Sequence, residues 1–201
     1  MTYGCVIASY KYGHLAGHCI ETVLEQTKKF DRVWFVDDCG DDCFHLPNLY
    51  PELTYVYRPK NLGTVANFQD MLERVDTDMV MFLGADNWIR PDTLELLSQK
   101  DTDIVVCDGV IVGTEKDWAL DYFRVTNYEG GYYWDRFNQH HGSMLYNVAM
   151  AKKVGYWSDN EGNTLEDLNL FEGMKRCGAK VGHIREPLLY YRRHTNNFNK
   201  L

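Results

Sequence analysis

Along the first half of the chain, short apolar runs alternate with longer stretches in which apolar residues return every three or four positions. "CVIASY" (5–10) is a β-branched run and predicts a strand. From His14 to Gln26, Leu15, Cys19, Ile20, Val23 and Leu24 recur at helical spacing. "RVWFVDD" (32–38) reads as a second strand and "LTYVYR" (53–58) as a third. "TVANFQDMLERV" (64–75) puts Val65, Phe68, Met71, Leu72 and Val75 on one helical face. "MVMFLG" (79–84) predicts a strand, "PDTLELLSQ" (91–99) a helix with Pro91 at its start, and "DIVVCDGVIVG" (103–113) one or two strands. Such alternation implies an α/β fold whose largely parallel sheet is flanked by helices.

Beyond about residue 113 the alternation fades. Residues 114–143 are rich in aromatics, Gly and Asn. Helical patterns return at Val148–Val154 and Leu165–Lys175, and "KVGHI" (180–184) reads as a late strand. No repeat, low-complexity tract or linker interrupts the chain, which suggests a single domain over residues 1–201.

The apolar run at 79–84 opens directly into "GADNWIRP" (84–91), so a strand feeds an acid and an amide. The same happens elsewhere: the first strand ends in Ala8-Ser9-Tyr10, the second in Asp37-Asp38, the third in Arg58 and the fourth in Asp86-Asn87. One polar strand end is an ordinary turn or cap. Four in succession point to a charged-ligand site, because open α/β sheets bind ligands outside the carboxyl ends of their strands.

The 201 residues suffice for a core without staples, and 45% hydrophobic content indicates a folded globule. No stretch approaches the ~20 apolar residues of a membrane span. The opening "MTYGCVIASY" lacks the basic-then-apolar plan of a signal peptide, so the expected setting is cytoplasmic, compatible with attachment at a membrane surface. A formal charge of −8 argues against nucleic-acid binding, which needs a basic footprint. The six cysteines are scattered and read as reduced thiols; Cys39, Cys43 and His45 lack the second ligand pair of a zinc site.

The motifs in order are "VIASYKYGHLAGHCIETVLEQT…VWFVDDCGDD", "NLGTVANFQDML", "MVMFLGADNWIRPDTLE", "GNTLEDLNL" and "PLLYYRRHTNN". Together they resemble the family 2 glycosyltransferases of the GT-A fold, with "NLG…NF…FL…W…P" similar to the rhamnosyltransferase-like branch. The resemblance implies a Rossmann-like mixed, largely parallel sheet, with residues 1–107 binding a nucleotide sugar and 108–201 serving the acceptor and catalysis. It also implies a UDP- or dTDP-linked donor, transfer with inversion, and a divalent metal, Mn2+ or Mg2+, on an Asp-X-Asp-type motif. Here the usual first acid is Ala85, and only Asp86 remains.

Carried over residue by residue, the resemblance makes Asp167 the general base, with Glu166 orienting the acceptor or structural. Asp38 would accept the N3–H of uracil or thymine. Ala8, Ser9, Tyr10, Arg58 and Asn61 would line the nucleotide, and Gly84 with Ala85 would let phosphate and metal approach. Asp86 and His194 would ligate the metal, and Arg192 would reach the diphosphate. Gly142 and Ser143 in "QHHGSML" would wall the donor sugar, and Tyr132, Tyr133 and Trp134 could stack on an acceptor sugar. Acceptors would be glycan, lipid-linked or protein-linked hydroxyls, and the chain could be a module of a larger polypeptide. Competing readings remain: Asp86-Asn87 as a turn, Thr164…Asp167 as a capping box, a non-catalytic sugar-nucleotide or glycan-binding module, and a nucleotidyltransferase.

Overall fold

The computed structural model describes residues 1–113, 125–128, 131–134, 140–159 and 164–194. The strands are β1 (Tyr3–Ser9), β2 (Arg32–Asp37), β3 (Thr54–Tyr57), β4 (Met79–Gly84), β5 (Trp88–Ile89), β6 (Ile104–Gly113), β7 (Val125–Tyr128), β8 (Gly131–Trp134), β9 (Met144–Asn147) and β10 (Val181–Arg193). The helices are α1 (Gly13–Leu24), α2 (Leu46–Leu49), α3 (Thr64–Arg74), α4 (Thr93–Leu97), α5 (Val148–Val154) and α6 (Glu166–Arg176), with a 3-10 turn at His141–Ser143.

The strands form one sheet in the order β3-β2-β1-β4-β9-β6-β10-β5, with β8 also on β6 and β7 on β8. β3, β2, β1 and β4 run parallel, as do β6 and β10. β9 lies antiparallel between β4 and β6, which makes the sheet mixed but largely parallel, as expected.

Alternation along each strand divides the core. Cys5 and Ile7 of β1, Phe35 of β2, Met81 and Leu83 of β4 and Cys107 of β6 face one side, where α1 and α4 contribute Cys19, Ile20, Leu94 and Leu97. Val6, Val36, Phe82 and Val106 face the other, covered by Phe68 and Met71 of α3, Ala151 of α5 and Phe171 and Met174 of α6. Buried on both faces, these strands read as continuous apolar runs. Each large side chain so enclosed contributes roughly 1.5–3 kcal/mol. On the second face α5 and α6 touch closely: a β-carbon on Gly173 would fall 2.4 Å from Val154 Cγ1.

Several elements sharpen or add to the expectation. The 103–113 run is one strand. "KVGHI" and "LLYY" belong to a single 13-residue strand, β10, whose register slips around Pro187. The short α2, the two-residue β5, the strand β9 and the β7–β8 hairpin had no periodic signal, being too short to show one. The side chains of Tyr132, Tyr133 and Trp134 lie outside the described residues. Among the described residues no helix is long and apolar enough to cross a membrane. Cys5, Cys19, Cys43 and Cys107 are buried free thiols, Cys39 is half-buried and Cys177 exposed.

Candidate active site

The loops after β2 and β4 are anchored on either side of the end of β1. The Asp38 N–H donates to the Ser9 carbonyl at 2.8 Å, and the Ala85 N–H donates to the Ala8 carbonyl at 2.9 Å. Asp38, 4% exposed, accepts the Leu62 and Gly63 N–H groups at 2.9 and 3.0 Å, while Asn61 Nδ2 donates to its carbonyl at 3.2 Å. The carboxylate thus orders the loop before α3 and keeps lone pairs for a further donor. Asp37 is enclosed, accepting Gly40 N–H at 2.7 Å and Tyr55 O–H at 3.2 Å, and burial pushes its carboxyl above the usual range.

Ser9 is buried with its hydroxyl 3.6 Å from Cys43 Sγ, whereas Tyr10 is exposed. Arg58 is buried as well: its Nε donates to Asn67 Oδ1 at 3.3 Å and its Nη2 pairs with Asp70, which Arg74 also holds. That engagement ties the end of β3 to α3. Ala85 is fully enclosed in the first core cluster, so a carboxylate at that position would be desolvated.

The chain turns sharply at Gly84–Asn87, with Asn87 N–H donating to the Gly84 carbonyl at 3.0 Å. Asp86, only 6% exposed, folds back over Gly84, where a β-carbon would stand 2.7 Å from Asp86 Oδ1. The turn runs into β5, which pairs Trp88 with Tyr190 and Ile89 with Leu189. This short pairing carries the end of β10 to Asp86. His194 Nε2 lies 3.3 Å from Asp86 Oδ2, Arg192 Nε donates to the Asp86 carbonyl at 2.9 Å, and Asn87 Oδ1 accepts Arg192 N–H at 3.0 Å. The Arg192 guanidinium sits 4.7 Å over the Trp88 ring, itself stacked on Tyr190. Tyr12 meets the His194 ring edge-on from the start of α1.

The turn before β9 and the start of α6 lie near Asp86, with His140 within electrostatic range of both Asp86 and Glu166. Gly142 and Ser143 are buried in that turn, and the Ser143 hydroxyl donates to the His140 carbonyl at 2.8 Å. His140 Nδ1 accepts the Gly142 N–H at 3.1 Å. Burial and the neighbouring His141 depress its pKa to about 4, against the pull of Asp86 and Glu166, so the ring is neutral near pH 7. Tyr191 lies within electrostatic range of both Asp86 and Asp167.

Glu166 and Asp167 open α6 behind Leu165, which adopts a left-handed backbone with φ 66°. A branched residue there stores strain of order 1–3 kcal/mol, a cost that clusters at functional sites. Leu165, not Thr164, is the N-cap, and it makes no side-chain cap, so the capping-box reading does not hold. Asp167 Oδ1 does accept the Leu168 N–H at 2.8 Å. The two acids are driven apart. Burial raises the Asp167 carboxyl despite His141. For Glu166 burial acts upward too, but the neighbouring His141 outweighs it and the net shift is downward.

Asp86 and His194 fit a divalent cation. Two adjacent ligands of an octahedral ion stand about 3 Å apart, close to the observed 3.3 Å separation. Asp37, Asp42 and Cys43 also approach within 4.8 Å of one another. There the Cys43 thiol, pushed up to about 12 by burial, donates to Asp42 Oδ1 at 3.2 Å, which is the chemistry of a structural hydrogen bond.

Known proteins share this fold. In solved structures the fold recurs in Staphylococcus aureus TarS 1–349 in complex with UDP, with TM-score 0.73 and 16% identity over 96% of this chain and 61% of that one. It recurs also in the mannosyltransferase PcManGT of Pyrobaculum calidifontis in complex with GDP-Man and Mn2+, with TM-score 0.68 and 14% identity over 98% and 58% of the two chains. The putative glycosyltransferase EpsH of Bacillus subtilis (strain 168) is 22% identical over 219 residues, 96% of this chain and 61% of that protein. This chain therefore spans about three fifths of the length of these relatives. Residues 5–155, from β1 through α5, match the profile of Glycosyl transferase family 2, and the chain belongs to that family.

Proposed function

We propose that this chain transfers a sugar from a UDP- or dTDP-sugar to a hydroxyl of a glycan, lipid-linked or protein-linked acceptor, in one displacement with inversion. The observation that carries the reading is the pair of acids at the head of α6, one raised and one lowered, gathered with Asp86 around Tyr191 and His140. Neighbouring titratable groups pushed in opposite directions mark an acid–base assignment. Asp167, the stronger base of the two, takes the proton of the attacking hydroxyl.

Residues 1–107 would seat the nucleotide: Asp38 through its remaining lone pairs at the N3–H of the base, with Ala8, Ser9, Tyr10 and Asn61 beside it. Arg192, braced on Trp88 and on the Asp86 carbonyl, reaches for the diphosphate. Asp86 and His194 would hold Mn2+ or Mg2+, which supplies positive charge for the departing diphosphate. The His194 partnership supports this reading despite Ala85. The UDP and UDP-GlcNAc bound by TarS and the GDP-Man and Mn2+ bound by PcManGT support a nucleotide-sugar donor. The resemblance of "NLG" and "NF" to the rhamnosyltransferase-like branch keeps a deoxyhexose beside a hexose as the sugar transferred. The three-fifths span supports a module of a larger enzyme.

The test is a thermal-shift and turnover screen of nucleotide sugars with and without Mn2+. Stabilisation by one UDP- or dTDP-sugar, with release of the nucleoside diphosphate, is the expected result. Binding without turnover under any metal makes the protein a binding module, and pyrophosphate-dependent release of a nucleoside triphosphate makes it a nucleotidyltransferase.

A further inference from the structure

His141 is 5% exposed, and its ring is wedged edge-on between Phe68 at 4.6 Å and Tyr156 at 5.2 Å. Its Nδ1 lies 3.4 Å from the Tyr156 hydroxyl, which is hydrogen-bonded to the hydroxyl of Tyr146. Its Nε2 stands 3.4 Å from Glu166 Oε1 and, among the described residues, makes no hydrogen bond of full geometry. Buried polar atoms are almost always satisfied, and one that is not calls for a reason. Here the atom points at the acid next to the proposed base.

We propose that His141 is a positioning residue, holding the Glu166 carboxylate through Nε2 while the Tyr156–Tyr146 hydroxyl pair holds His141, so that Asp167 alone faces the acceptor. The inference rests on the reading of Asp167 as base and deepens it. Two adjacent carboxylates turned to one hydroxyl would share a proton, and their titrations would couple. An imidazole N–H on Glu166 keeps that acid ionised and turned aside. In the proposed arrangement Tyr146 donates to Tyr156 and Tyr156 donates to Nδ1, which leaves Nε2 to present its proton to Glu166. Catalytic hydrogen bonds often stand long until the acceptor is bound, which accounts for the 3.4 Å gap.

Long-range 1H–15N NMR of the full chain reads the ring directly and needs no substrate. The expected result is a proton on Nε2 of His141, with a signal that moves in Glu166→Gln. A proton on Nδ1 alone, or a signal indifferent to Glu166→Gln, overturns the proposal. Kinetics on the donor found by the turnover screen add a second readout. His141→Phe should lower kcat roughly tenfold or more with the donor KM unchanged, and His141→Gln, which keeps an N–H near Glu166, should recover most of it. Equal losses in both variants, tracking thermal stability, also overturn it. If no donor is turned over, the reading of Asp167 as base fails while the NMR result still decides whether His141 holds Glu166.

Discussion

Asp86 occupies the space where Gly84 would carry a side chain: a β-carbon at Gly84 would stand 2.7 Å from Asp86 Oδ1 and 3.0 Å from Asn87 Nδ2. Any larger residue must therefore displace the carboxylate assigned to the cation. Gly84→Ala should leave a folded protein whose affinity for UDP no longer rises when Mn2+ is added. Asp86→Ala should behave the same way, and His194→Ala should show a smaller rise than wild type. Isothermal titration of UDP with and without Mn2+ checks all three; an undiminished Mn2+ effect in Asp86→Ala would place the ion elsewhere.

Asp167→Asn separates chemistry from binding. Transfer should fall by ~100-fold or more, the scale of a lost general base, with donor affinity nearly intact. The fold should respond in the opposite sense. A carboxyl raised by burial contributes its full stability below the ordinary carboxylate range and loses it as pH rises through the raised value. Above that range the buried charge of Asp167 is thus a liability, and Asn should raise Tm at neutral pH. Thermal unfolding at several pH values tests this, since the gain should vanish in acid.

His140 predicts an acid-labile turn. Its folded pKa of about 4 lies below the ordinary 6.5, so the neutral ring stabilises the fold above that value. That contribution should be lost as pH falls from 6.5 towards 4, up to about 3 kcal/mol across the interval. His140→Asn retains an acceptor for the Gly142 N–H and should flatten the decline. Denaturant unfolding of both proteins between these pH values measures the difference.

Gly173 sets the spacing of α5 and α6. Alanine there would bring its methyl 2.4 Å from Val154 Cγ1, and overpacking of this kind costs roughly 1–3 kcal/mol. Gly173→Ala should lower Tm, and adding Val154→Ala should return part of the loss. If the single variant melts like wild type, the two helices have room to separate.

The strand–helix order of the first half was legible because each element there is long enough to show its period, and each strand is buried on both faces. Residues 79–84 and 64–75 are examples, and both lie close to where their patterns put them. The polar strand ends were equally legible, since Asp38 and Asp86 directly follow apolar runs. The partners of Arg58 were not: it was expected beside the nucleotide, and only the packing of α3 revealed Asn67 and Asp70 against it.

The amino-acid sequence by itself determined the layers, the sheet's direction and the carboxyl edge on which polar groups collect, because these follow from local periodicity and from where apolar runs stop. Tertiary structure alone decided which of those groups meet. His194 and Asp86 are brought together by a two-residue strand with no periodicity, and His141 reaches Glu166 only because β9 returns antiparallel through the middle of the sheet. Such meetings join residues far apart along the chain, and a pattern that reports only near neighbours carries no trace of them.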